Sequence, residues 1–197
     1  MSRTIRLFTH MFLEAGIAMV MLLPVFLLLH LLLIHSWRRT LGYLIFAFYL
    51  AAVDSVVGLP NIHYIRFDLN VNLIPMAYMF SDYRTSLLNV ALFLPLGFLL
   101  PVLCPAFQKF WKTALFGLCL SLVIELLQIF TFRATDINDL MTNTAGTILG
   151  WWAGQALVNR KGACGWRARE IFGVSALTMG IMFFIQPYLV DLLLRTI

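Results

Sequence analysis

Charge is what this sequence has least of. Only 12% of its 197 residues are charged, against 61% hydrophobic, and the mean hydropathy is +0.90. Soluble domains carry about 25% charged and roughly 45–50% apolar residues. The shortage excludes a water-soluble globular domain and marks an integral membrane protein with the length of one domain. Cysteine is also scarce: Cys104, Cys119 and Cys164 are an odd, widely spaced set without a CxxC pair. That excludes a disulfide framework and a cysteine zinc site. There is no His-rich metal motif, no DxxDxxD and no suitable Ser–His pairing. No established nucleophile is therefore legible, and neither a cofactor nor a metal is expected. Basic residues outnumber acidic ones by 14 to 9, yet no basic–aromatic patch accompanies them. The excess suits the loops of a membrane protein, and nucleic acid is not an expected partner. Internal repeats and low-complexity tracts are missing too.

What is present is a series of long apolar runs. Six of them, at 11–35, 40–58, 86–104, 113–132, 138–158 and 172–194, approach or exceed the about 20 residues that span a hydrocarbon core. The first is too long for a signal-peptide core, and no small-x-small cleavage site follows it. It is expected to stay as a membrane helix. The connection 59–85 is longer and contains Pro60, Asn70, Asn72 and Pro75; its apolar, aromatic stretch NLIPMAYMF suggests an interfacial segment. The expected fold is all-α: a polytopic membrane protein with about six transmembrane helices in one bundle.

Loop cations set the orientation. Arg38, Arg39, Lys109, Lys112, Arg160, Lys161, Arg167 and Arg169 fall on one side, eight in three short loops. Arg3, Arg6, Arg66, Arg84, Arg133 and Arg195 fall on the other, six over two termini and two loops. The first side is expected in the cytoplasm, with both termini outside.

Polar residues inside these runs are the strongest functional signal, because ionisable groups at membrane depth usually face a protein interior, a cavity or a ligand. Glu125 and Gln128 are three residues apart and share a helix face. Asp136, Asp139, Asn143 and Gly146, spaced by 3, 4 and 3, share another. A short loop makes the two helices antiparallel neighbours, so these faces can meet. Asp136 or Asn138 suits the start of the fifth helix. Asn89 opens the third, ahead of Pro95 and Gly97. At about 1.5 Å per residue, Glu125, Gln128, Asn89 and Asn143 all belong to the outer part of the bundle. Each residue also has a purely structural reading. Asp136 serves as a helix cap, Asn89 and Asn143 as hydrogen-bonding glue between helices, and Glu125 as the partner of Arg133. Gly146, Gly150 and Gly154 suit close helix packing, His30 a hydrogen-bonded core position, and Trp151 and Trp152 packing.

Four linked blocks carry a family resemblance: NLIP at 72–75; Asn89 with FLPLGFLLP at 93–101; IELLQIF at 124–130; and Arg133 followed by DINDLMTNTAGTILG at 136–150. In this order and spacing the chain resembles the VanZ-like family of bacterial membrane proteins over roughly 70–158. The resemblance implies a membrane core there, with 1–69 as N-terminal membrane helices and the start of an extracytoplasmic connection. It leaves 159–197 as a basic cytoplasmic loop and a C-terminal membrane helix. The implied functional positions are Asn72, Pro75, Asn89, Pro95, Gly97, Glu125, Gln128, Arg133, Asp136, Asp139, Asn143 and Gly146. The chain departs from the family pattern at Asn138, where relatives often have Asp, and in the short loop before Asp136. An essential carboxylate is therefore not expected at 138.

The family's namesake is associated with resistance to teicoplanin, a lipoglycopeptide, without a change to the peptidoglycan terminus. The resemblance implies a multi-pass protein of the bacterial cytoplasmic membrane. The leading expectation is a protein that binds or remodels a lipid-linked cell-wall precursor or a lipoglycopeptide at the outer face, among membrane lipids. Asn72, Asn89, Glu125, Gln128, Arg133, Asp136, Asp139 and Asn143 form the ligand-binding set, with Arg66 or Arg84 joining Arg133 on phosphate. The alternatives are an intramembrane enzyme on a lipid-linked phosphate, built on Glu125, Asp136 and Asp139, a small lipid transporter, and a purely structural membrane partner. Enzymatic activity is the lesser expectation.

Overall fold

The computed structural model describes the backbone over 3–72, 74–76, 83–131 and 135–196, and the side chains of residues 14–192 within those ranges. Its helices are α1 (Arg3–Leu29), α2 (Trp37–Val57), α3 (Tyr83–Leu103), α4 (Phe110–Gln128), α5 (Ile137–Lys161), α6 (Ala168–Phe184) and α7 (Gln186–Thr196). Two short strands, β1 (Val71–Asn72) and β2 (Thr135–Asp136), pair in parallel. The fold is all-α, as the apolar runs predict. Five segments are long and apolar enough to cross a membrane: 14–34, α2, α3, α4, and 168–192, which takes in α6 and α7. The sixth expected span, α5, is 25 residues long but interrupted by polar residues. Asn138, Thr142, Asn143 and Thr147 among them are buried. Val20, Leu33, Leu88 and Leu126 stand exposed on their helices. Such side chains suit contact with acyl chains, which need no polar partner.

The chain divides into two compact units, Met1–Ile65 with Phe172–Ile197, and Arg66–Ile171. In the first, α1 and α2 form a hairpin. Ala18, Leu22 and Phe26 recur every four residues, one face of α1, and are buried, as are Phe46, Ala47 and Leu50 of α2. A π-helical turn, His30–Ile34, closes α1, and His35 leaves it in the left-handed region at φ 51°. His30 is buried, 2.8 Å from the Thr40 hydroxyl through Nδ1. That hydroxyl donates its one proton to the Ser36 carbonyl at 3.1 Å, so the imidazole must be the donor in the pair. α6 and α7 are separated at Ile185, and Pro187 is the second residue of α7. Proline has no N–H for the carbonyl four residues back, and the Phe183 carbonyl accepts instead from Ile62 N–H at 3.2 Å.

In the second unit, α3 and α5 run parallel in contact. A Cβ on Gly146 would strike the Val90 carbonyl, one on Gly150 that of Leu94, and one on Gly154 that of Phe98. The register advances four residues on each helix per contact, so α3 and α5 begin at the same face. Thr147 fills the space beside them: a Cβ on Gly97 would meet its backbone, and one on Gly117 of α4 its side chain. α3 ends where Pro105 starts a short 3-10 turn. Its last carbonyls are taken up by the loop after α5, with Cys164 N–H on Val102 O at 2.8 Å and Trp166 N–H on Leu103 O at 2.9 Å. Gly162, at φ 76°, ends α5, and Arg160 and Lys161 occupy its last turn, where cations favour the helix dipole.

Of the NLIPMAYMF stretch at 72–80 that suggests an interfacial segment, residues 73 and 77–80 lie outside the described residues. Residues 71–72 are strand and 75–76 a turn, where Met76 N–H and the strand are engaged by the α4–α5 connection. Trp152 is 65% exposed, so it faces outward rather than packing inside its unit.

The seam makes a direct prediction. Gly150→Val forces a branched side chain into the Leu94 backbone and is expected to cost at least the about 1–3 kcal/mol typical of overpacking. Thermal unfolding in detergent checks this, with Ala153→Val, on the exposed side of α5, expected to leave the midpoint unchanged.

Candidate functional site

The candidate site is built where α4 ends and α5 begins. Asp136 takes an extended conformation and caps α5: its carboxylate accepts Asn138 N–H at 2.8 Å. A carboxylate there satisfies an otherwise orphaned donor and favours the helix dipole. Asp139 adds a second acid in the first turn. The backbone N–H of Asp136 donates to Oε2 of Glu125 at 2.9 Å. Glu125 is only 4% exposed, and its own carbonyl accepts the Thr135 hydroxyl at 3.0 Å. The end of one membrane helix is thus bonded through a glutamate to the start of the next. Burial of a carboxyl group without such partners costs several kcal/mol.

A strap of chain lies across this junction. Arg66 N–H bonds Phe130 O at 3.0 Å and Asp68 N–H bonds Ile129 O at 2.8 Å. Thr135 N–H returns to Asn70 O at 2.9 Å. β1 then pairs with β2, Val71 beside Thr135 and Asn72 beside Asp136. The Asn72 amide donates to Asp136 Oδ1 at 3.2 Å. Met76 N–H donates to Asn138 Oδ1 at 2.7 Å. The amide oxygen of Asn138 performs here what a carboxylate oxygen would do as an acceptor, so the departure from Asp retains this contact.

Below the junction the polar face continues. Ser121, one helical turn before Glu125, accepts from the Asn143 amide at 2.9 Å. Asn143 is 4% exposed, and its Oδ1 has no hydrogen-bond partner. The Nδ2 of Asn89, on α3, is likewise enclosed and without one. Gln128 is buried near the end of α4. Asn72, Glu125 and Asp136 are therefore joined in one bonded chain, and Asn143 reaches the same face of α4 through Ser121. No hydrogen bond joins Asn89 to that chain. Arg133 lies outside the described residues. Arg84 is exposed at the start of α3.

Sequence reading passed over Ser121, Thr135 and the acceptor role of Asn138. Ser121 had a usable signal, since it lies four residues before Glu125 on the face already marked by Glu125 and Gln128. Beyond Asn72 the strap had little signal, because most of its contacts come from backbone groups. Chemically, the junction offers carboxylates, an enclosed amide acceptor and an enclosed amide donor. Among the described residues no group of three or more His, Cys, Asp or Glu gathers in a way that could hold a metal ion.

The family model described as VanZ/LLP1 matches residues 37–158. That range holds every candidate residue and also takes in α2, which precedes the motif-bearing blocks. Protein VanZ of Enterococcus faecium is 42% identical over 97 residues, 49% of this chain and 56% of that protein. The match thus spans little more than half the length of that relative. No solved structure matches.

If Glu125 holds the junction as described, Glu125→Ala leaves the Asp136 N–H without its acceptor. The expected loss is about 1–3 kcal/mol, the cost of leaving a buried donor unsatisfied. Glu125→Gln keeps an acceptor oxygen of the same reach and is expected to lose less. Unfolding midpoints of the two variants, compared in the same detergent, check the order.

Proposed function

This chain belongs to the VanZ/LLP1 family, is a multi-pass helical membrane protein, and, we propose, sits in the bacterial cytoplasmic membrane to bind or remodel a lipid-linked ligand at its outer face. The observation that carries this reading is the interior polar junction of α4 and α5, bonded through Glu125 and Asp136 and crossed by the strap. Polar groups held at this depth cost stability unless bonded or used. Asn143 Oδ1 and Asn89 Nδ2 are enclosed acceptor and donor atoms that the protein leaves unbonded.

The ligand class follows from that mixture. A lipid-linked cell-wall precursor and a lipoglycopeptide both join a hydrocarbon chain to a headgroup rich in amides and hydroxyls. The headgroup would use Asn89, Asn143 and Gln128 as hydrogen-bonding partners, while its chain lies along the exposed apolar faces of the helices. Arg133, Arg66 and Arg84 are the cations assigned to phosphate where the ligand carries it. Asn72, Asp136 and Asp139 act at the mouth. Tolerance to teicoplanin is the phenotype proposed for this chain.

The test is expression in a susceptible Gram-positive host of the wild type and of a Glu125→Gln, Asp136→Asn double variant at matched membrane levels. Teicoplanin and vancomycin susceptibility are then read side by side. Raised tolerance to teicoplanin alone, lost in the double variant, is the expected result. Unchanged susceptibility to both drugs in cells carrying the wild type would remove teicoplanin tolerance from the proposal.

A further inference from the structure

The end of the second unit away from the α4–α5 junction has a chemistry of its own, independent of the ligand proposed for that junction. It gathers the last turns of α3 and α5 and the first turn of α4. Lys109, Lys112, Arg160, Lys161, Arg167 and Arg169 belong to it, against Glu170 alone. The junction end has the reverse balance among the described residues: Arg66 and Arg84 against Asp68, Glu125, Asp136 and Asp139. The Glu170 carboxylate accepts the Arg167 backbone N–H at 3.2 Å. Among the described residues, none of the six basic side chains is ion-paired. Aromatic rings stand beside them. Phe110 packs edge-on against Trp151, with centroids 5.4 Å apart, and Trp151 against Trp152 at 5.3 Å, so the rings form a ledge joining the start of α4 to α5. Trp111 and Trp152 are exposed, and Lys112 Nζ lies 5.4 Å from the Trp111 ring centroid. Indole rings beside basic residues are the composition of a membrane–water interface.

From this ledge an exposed stripe runs both ways along α5. Towards the junction it is apolar: Leu149, Ala145 and Met141 share the face of Trp152 and are exposed with it. From Trp152 to Met141 is about 16 Å at about 1.5 Å per residue, which matches one leaflet of an about 30 Å hydrocarbon core. In the other direction the stripe passes Ala156 and reaches Arg160, about 12 Å beyond Trp152. Lys109, also exposed, adjoins the ledge at Phe110. A nucleic acid or an acidic protein would use the cations and leave the apolar stripe bare. A neutral lipid would cover the stripe and leave the cations unpaired. An amphiphile with a negative headgroup satisfies both. We propose that this face binds one anionic phospholipid in the leaflet at the basic end. Its phosphodiester lies between Lys109 and Arg160, whose guanidinium suits two phosphate oxygens at once. Its glycerol sits at the Trp152 ring, and one acyl chain runs along Leu149, Ala145 and Met141.

The experiment is native mass spectrometry of the full chain in detergent, titrated with phosphatidylglycerol or with phosphatidylcholine of the same acyl chains. One retained phosphatidylglycerol per chain, clearly preferred over phosphatidylcholine, is the expected result. Lys109→Gln and Arg160→Gln are each expected to weaken it about fivefold, the contribution of one basic residue at an anionic surface. Trp152→Ala keeps every charge and is expected to weaken it as well, with Trp152→Phe closer to the wild type. Arg39→Gln, which removes an exposed cation at the start of α2 in the first unit, is expected to leave it unchanged. Glycerophosphate, which has the phosphate without the chains, is expected not to compete at equal concentration. Unfolding midpoints identify a variant that has lost its fold, and in that case the wild-type preference and the Arg39→Gln comparison decide. Equal retention of the two lipids, equal weakening by Arg39→Gln, competition by glycerophosphate, or a dimer of the chain abolished by Trp152→Ala in place of a lipid adduct overturns the assignment.

Discussion

The approach of α3 to α5 is the constraint on which the second unit depends. Gly146, Gly150 and Gly154 bring one backbone against the other, a distance that only hydrogen as a side chain permits. Lipid supplies little hydrophobic drive between helices, so van der Waals contact of this kind has to hold the pair. Thr147 closes the remaining space against Gly97 and Gly117 and returns its hydroxyl to the Asn143 carbonyl at 3.0 Å. The seam fixes α5 in rotation as well as position. Once Gly146 and Gly150 face α3, Asn143 is directed to Ser121 of α4 and Asp136 is brought to Glu125. The polar junction inherits its geometry from a row of absent side chains.

Much of this was legible in the residues. Apolar run length located the helices, because backbone groups in a membrane must be bonded within the segment. The spacing of Glu125 with Gln128, and of Asp136 with Asn143 and Gly146, marked the faces that meet. The place before an apolar run marked Asp136 or Asn138 as the cap, and Asp136 takes that position. What escaped the sequence has a common cause. The strap over 66–76 is held largely by main-chain donors and acceptors, and those carry no residue identity. At 71–72 its conformation is decided by β pairing with 135–136, a partner 64 residues further along the chain. The tilt toward polarity in α5 likewise reads as a weak span until its partners are seen. Asn138, Thr142, Asn143 and Thr147 are buried against protein, so hydropathy along the chain understates how well the helix is accommodated.

The two units solve the problem of interrupted helices in the same manner. Pro187 leaves the Phe183 carbonyl open and Ile62 fills it; Pro105 stops α3 and the loop at 164–166 takes its last carbonyls. In each case a segment distant in sequence supplies the missing donor, as it must where water is scarce. Breaks in helices therefore double as attachment points for loops.

The strap also sets an order of events during synthesis. Asn72 is made 64 residues before Asp136, to which it bonds. At about 5–20 residues per second this leaves roughly 3–13 s in which β1 exists without β2. During that interval α3 and α4 must be laid into the bilayer. Only when the chain emerges again can the junction close over Glu125. Completion of the site is thus a late step of membrane insertion, and a helix delayed or misoriented there leaves the strap unpaired.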